Sequence, residues 1–167
     1  MQIRLERPLA ERFLKELHAA GGREIGGLLM GEHLHDDVFR LAEISVQRIG
    51  GTHSGFVRTP EAHQAQLDAF FEQTGNNYRR FNYLGEWHSH PHFSPLPSNE
   101  DLRTMQSIVD DPASGMNFLV LLIVRLTSGS ALAMTATAFR RGVDPCAVHV
   151  AADIRQKDCS EGEVYSR

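Results

Sequence analysis

Residues 85–101 read GEWHSHPHFSPLPSNED, and three local structures meet in this short span. The preceding segment RFNYLGEWHSH (80–90) reads as a strand that stops at the prolines. Pro91, Pro95 and Pro97 fix φ and remove backbone donors, so 91–97 is expected to be a stiff loop. SNEDLRTMQSIVDD (98–111) opens on a capping serine with acids in its first turn, which predicts a helix.

The chemistry of the stretch follows from those placements. His88 and His90 lie two apart on a predicted strand, so both imidazoles project from one face as a ready pair of zinc ligands. Asp101 follows His90 by eleven positions, at the start of the helix. Two histidines and one carboxylate leave a fourth tetrahedral position for water, which is the donor set of a catalytic zinc site. The prolines limit the loop's freedom and help hold Asp101 against the strand. Taken alone, an HxH is more often incidental, and Ser98 to Asp101 reads as a helix cap. That local reading does not stop Asp101 from turning to a metal or Ser98 from facing a substrate. The combination HxHP with PSxxD is far less a matter of chance than either half. Glu86 shares strand parity with both histidines, and spacing alone favours it as the general base. His92 lies near the ligands, where it contacts substrate or is simply solvated.

Outward from this centre the elements alternate. PLAERFLKELHAAGG predicts a first helix, with Pro8 early, Leu9, Phe13 and Leu17 at four-residue spacing, and Gly21-Gly22 at its end. EIGGLLMGE (24–32) and DVFRLAEISVQRI (37–49) predict strands joined by a turn in HLHDD, and GGTHSG (50–55) a loop. PEAHQAQLDAFFEQTG (60–75) predicts a helix. NFLVLLIVRL (117–126) predicts a central strand buried on both faces, because its apolar run does not alternate. After the turn TSGS, ALAMTATAFR predicts a further strand, and from about Gly142 the signal fades into a polar tail. Mixed strands and helices in one unit imply an α/β domain with helices packed on a sheet.

Composition narrows the functional classes. The chain has 167 residues, 41% hydrophobic and 23% charged, with a formal net charge of −4. That length suggests one domain with a real core. The charge and the absence of a basic run argue against a nucleic-acid module. Cys146 and Cys159 form no CxxC pair, which indicates neither a disulfide framework nor a cysteine-rich zinc site. No signal-peptide core is visible at the start. The longest apolar run, FLVLLIV, is too short to span a bilayer, so a reduced, cytoplasmic location is expected and no membrane partner. HExxH is absent, which closes that zinc-protease route. Trp87 should point opposite to His88 into the core, and His33, His35, His53 and His63 are not expected to be ligands.

His88-Ser89-His90-Pro91 followed by Ser98-Asn99-Glu100-Asp101 resembles the motif of the JAMM (JAB1/MPN/Mov34) metalloproteases, spacing included. EIGGLLMG, with Glu24, resembles the family's upstream element. The resemblance covers roughly residues 5–140. It implies an α/β fold, a single MPN-type domain with a mixed curved β-sheet and flanking helices over 1–142, and a C-terminal extension over 143–167. It implies that His88, His90 and Asp101 bind one Zn2+ per chain, that Glu24 is the general base, and that Ser98 is the oxyanion donor. Glu86 is then left to contact a ligand or the substrate, or to be a solvated strand residue. YLGEWHSHP with PSxxDL is most like the bacterial branch encoded beside ubiquitin-activating-like and conjugating-like proteins, in CBASS anti-phage or bacterial ubiquitin-like (Bil) operons. There is little sequence for the insertions that give eukaryotic members ubiquitin-chain selectivity. The implied activity is a deubiquitinase-like isopeptidase that cleaves after the tail of a ubiquitin-like protein or of a conjugated nucleotidyltransferase. Such tails commonly dock by adding a strand to a sheet edge. Other readings are a sulfur-carrier-processing or RadC-like hydrolase, and a non-catalytic MPN scaffold.

Overall fold

The computed structural model describes residues 1–48, 59, 61–127 and 131–153. The readings made for 50–55, His53, Pro60, Cys159 and most of the TSGS turn lie outside these residues.

The unbroken apolar run is a strand, Leu119–Leu126, and each of its faces meets a different layer. Val120, Leu122 and Val124 enter the main core, while Leu119, Leu121 and Ile123 enter a second, smaller one. The main core is completed by the helix Arg7–Ala20 (α1), which buries Leu9, Phe13 and Leu17 along one stripe. Pro8 sits in its first turn, and Gly21 ends it at φ 61°. The second core is completed by the helix Asn99–Asp110, through Met105 and Val109. Burial on both faces is why this strand carries no polar alternation.

Seven strands form the sheet: β1 (Gln2–Leu5), β2 (Gly26–His35), β3 (Val38–Ile44), β4 (Phe81–Ser89), β5 (Leu119–Leu126), β6 (Leu132–Arg140) and β7 (Val143–Ala152). The helix Glu61–Gln73 (α2) lies between β3 and β4, and Asn99–Asp110 (α3) between β4 and β5. The spatial order is β1-β3-β2-β4-β5-β6-β7, closed into a barrel because β7 pairs with β1 as well as with β6. The expected mixed sheet is present: β1/β3, β1/β7 and β4/β5 are parallel and the other pairs antiparallel.

Two strands were not legible in the sequence. β1 is four residues long, too short for a periodic signal. β7 occupies the first part of what was expected to be a C-terminal extension. Its residues 143–147 are exposed, and only Val148, with Val150 beside it, packs into the main core, so its apolar face is too short to give a periodic signal. Strand 37–49 is shorter than expected, ending at Ile44. Ser45 and Gln47 still donate to the carbonyls of Leu28 and Gly26, at 3.1 and 2.7 Å. Closure also limits docking by strand addition. Among the described residues, open edges remain where a strand outruns its neighbour, as β4 does before Gly85 on the β5 side.

The β4–α3–β5 unit places the chemistry-bearing stretch. Parallel strands need a crossover, and α3 supplies it, so the start of α3 comes to lie near the end of β4. Gly85 adjusts the strand just ahead of the histidines. Leu29 pairs with Gly85 but Met30 with Tyr83, which makes a bulge. The extra residue lets Leu84 and Trp87, three apart, both reach the main core. Gly85 has φ 148°, and a Cβ there would sit 2.0 Å from the carbonyl oxygen of Val120. Gly85→Ala is therefore expected to cost at least about 2 kcal/mol of stability, measured by urea unfolding. An unchanged midpoint would refute this account of the bulge.

Candidate metal centre

β4 carries His88 on its last turn of pleat, and His90 follows just past the strand end. Their Nε2 atoms stand 3.1 Å apart, so the expected same-face pair is present. Asp101 Oδ1 lies 3.5 Å from His88 Nε2. One donor atom from each of the three residues falls within 4.8 Å of the others. No other group of three or more potential ligands converges in this way among the described residues.

Two of the three candidate ligands are each oriented by a partner outside the triad. The ring nitrogen Nδ1 of His90 lies 3.0 Å from the Ser94 carbonyl. A carbonyl only accepts, so Nδ1 carries the proton and neutral His90 presents a lone pair at Nε2. Asp101 closes a capping box with Ser98. Its Oδ2 accepts from the Ser98 backbone N–H and hydroxyl, both at 2.7 Å, and its own N–H donates to Ser98 Oγ at 3.1 Å. Oδ1 is thereby left facing the imidazoles. Burial holds His88 down to about 4, with Asp101 raising it and His90 lowering it further. The ring is thus neutral at pH 7, the form that coordinates a metal. The donor set and its orientation fit a zinc ion bound by three protein groups.

Glu24 stands beside this triad at 5% exposure. Burial pushes its carboxyl above the usual range, and His90, Asp101 and His92 act on it electrostatically, the two histidines in the opposite direction. Residues 24–25 are tied to the ligand strand on the side away from the metal. Ile25 N–H donates to Ser89 Oγ at 3.0 Å, and Ser89 N–H to Ile25 O at 2.8 Å. Ser89 was visible in the sequence only as the middle of HSH, where alternation turns it away from the metal. That direction is what lets it brace Glu24. His92 donates through Nε2 to the Gly22 carbonyl at 3.2 Å, joining the proline loop to the segment that leads into Glu24.

Glu86 lines a cleft of about 750 Å³ between α2 and α3, with Phe71, Tyr83, Ile108 and Met116 among its walls. The Tyr83 hydroxyl lies 3.5 Å from Glu86 Oε1. Trp87 is buried as expected, packed edge-on against Phe13 at 5.0 Å and donating to Ser45 O at 2.9 Å. His63 is buried against Ser45 Oγ and Gln47 Oε1, at 2.7 and 3.2 Å, and His33 caps the Asp36 carbonyl. Cys146 is exposed. No helix among the described residues is long and apolar enough to cross a membrane.

Comparison with known proteins gives this geometry a class. Residues 6–141 match the family described as prokaryotic homologs of the JAB domain. The chain belongs to that family. Over 138 residues it is 29% identical to a CD-NTase/cGAS isopeptidase of Enterobacter hormaechei subsp. hoffmannii (strain UCI 50), covering 81% of this chain and 73% of that protein. Its fold is similar to the solution structure of a Desulfitobacterium hafniense protein, with a TM-score of 0.61 and 19% identity over 97% of this chain and 100% of the other. A JAB1/MPN domain protein from Archaeoglobus fulgidus aligns with a TM-score of 0.45 and 19% identity, covering 90% and 98%.

Two outcomes follow from the electrostatics and the brace. Without metal, His88 takes its proton near pH 4 when folded and near 6.5 when unfolded. Across that window the unfolded chain binds a proton that the folded chain refuses, so this group's stabilisation is lost as pH falls. Glu24 has the opposite sign, since its raised folded pKa removes stability as pH rises above 4.5. From pH 6.5 toward 4 the melting temperature of chelator-treated protein should therefore change less favourably than that of His88→Ala, which lacks the group that takes up the proton on unfolding. Ser89→Ala leaves the buried Ile25 N–H unpaired. It should cost about 1–3 kcal/mol in denaturant unfolding while keeping the metal ligands.

Proposed function

We propose that this chain is a zinc-dependent isopeptidase of a bacterial anti-phage conjugation system, releasing a protein attached through its C-terminal tail. The observation that carries the reading is a buried carboxylate, Glu24, set beside a convergent His88–His90–Asp101 triad. The name of the Enterobacter relative favours a CD-NTase tail as the conjugated substrate over a ubiquitin-like protein. Activating-enzyme-like and conjugating-enzyme-like proteins are the partners that such chemistry requires upstream. A complete ligand set weighs against a non-catalytic scaffold.

The triad would hold Zn2+, which when bound supplies the Lewis acidity that makes water a nucleophile near neutral pH. Glu24 takes the proton of the attacking water and returns it to the leaving amine. Its burial favours this work, because a carboxyl raised toward neutrality both accepts and gives a proton readily. Ser98 has two duties to reconcile. Its hydroxyl proton donates to Asp101 Oδ2, and its backbone N–H donates to the same oxygen. Turning the hydroxyl toward a substrate oxyanion leaves Asp101 still held by the backbone, so Ser98 can serve the transition state without releasing the ligand. Glu86, on the wall of the cleft two residues before His88, is the residue we assign to contact the substrate tail.

Purified protein is expected to contain about one zinc per chain, lost in His88→Ala. Cleavage of a fusion bearing a CD-NTase C-terminal tail should fall by at least about 10²-fold in Glu24→Ala with zinc retained. Glu86→Ala should keep its turnover. An active Glu24→Ala with a dead Glu86→Ala would reverse the assignment of the base.

A further inference from the structure

The proline loop between the two halves of the ligand set is anchored from strands that carry no ligand. Three consecutive carbonyls are taken in turn. Phe93 O accepts from Arg125 Nη1 at 2.9 Å, Ser94 O from His90 Nδ1 at 3.0 Å, and Pro95 O from the hydroxyl of Thr135. Arg125 is on β5 and Thr135 on β6, which pair antiparallel, Ile123 opposite Thr135 and Arg125 opposite Ala133. The two anchors thus flank the middle carbonyl, which is the one that fixes the His90 tautomer.

The prolines explain why outside anchors are needed. Pro91, Pro95 and Pro97 stiffen the loop but bring no N–H of their own, so the grip must come from other residues. Arg125 makes this bond although its Nε is buried without an acceptor among the described residues. A donor left orphaned is costly, which makes the bond from Nη1 to Phe93 O the feature to account for. If residues 93–95 turned, the Ser94 carbonyl would leave Nδ1. The ring would then be free to exchange tautomers and present an N–H where a ligand lone pair is required.

We propose that Arg125 and Thr135 are positioning residues for the metal centre. They lock residues 93–95 so that Ser94 holds the His90 Nε2 lone pair toward His88 and Asp101. This rests on the reading of those three residues as a zinc site. Among the described residues neither the Arg125 nor the Thr135 side chain hydrogen-bonds to the triad; each acts through the loop.

The test compares Thr135→Val, Thr135→Ser and Arg125→Ala with the unmodified protein in three measurements. Zinc affinity is read by chelator competition, metal-free melting temperature by calorimetry, and the His90 tautomer by nitrogen-15 NMR of metal-free protein at pH 8. Thr135→Val and Arg125→Ala are expected to weaken zinc binding about 10-fold or more and to give a mixed His90 tautomer. Thr135→Ser should restore both readouts, while the melting temperatures of Thr135→Val and Thr135→Ser stay close. Zinc affinity and a single Nδ1–H tautomer unchanged in both loss variants would overturn the proposal. So would a loss of affinity that Thr135→Ser does not restore. If the unmodified protein binds no zinc, the metal reading fails, and the metal-free tautomer still decides whether the clamp holds His90.

Discussion

One carboxylate, Asp101, has to satisfy a helix and face two imidazoles at once. Its Oδ2 closes the reciprocal cap at the start of α3, and Oδ1 is left toward His88. This works only if the first turn of α3 lies over the end of β4. That placement in turn demands that β4 and β5 be parallel, with α3 as the crossover between them. The architecture around the site is the set of conditions that lets one carboxylate both cap α3 and face the two imidazoles.

A second layer of order comes from groups outside the triad. The Ser94 carbonyl holds His90, Ser89 ties down Ile25 next to Glu24, and the Gly22 carbonyl accepts from His92. The acid–base environment is shaped by burial more than by charge pairing. Burial is the largest influence on both Glu24 and His88, and in each it favours the neutral form. In the proposed chemistry a neutral imidazole would serve as a ligand and a carboxyl of raised pKa as a proton carrier, so the same desolvation would suit two different groups to two different tasks.

The sequence made some of this readable for a local reason. FLVLLIV announces a strand covered on both faces, and HSHP with PSNED announces a same-face pair and a capped helix, because each rests on the chain's own periodicity. The rest depends on contacts between distant segments. Strand parity alone favours Glu86 as the base. The buried place of Glu24 beside the triad arises from Gly26 pairing with His88, which no local pattern encodes. β1 and β7 are too short or too exposed to advertise themselves, and barrel closure is the sum of both. Arg125 and Thr135 look like ordinary strand residues until the loop is seen lying against them.

The pairing of β1 with β7 has a consequence for biosynthesis. β1 is flanked by a strand that follows it by well over a hundred residues, so during translation β1 waits with one edge unpartnered until residues 149–152 emerge. β6 likewise keeps an open edge until its hairpin with β7 is complete. Non-local strand pairing is slow to form, and exposed edges invite pairing with other chains. Pro145 then takes on a meaning beyond weak patterning: it has no N–H to donate to a ladder, so it makes this late strand a poorer template for other chains while the nascent barrel is still open.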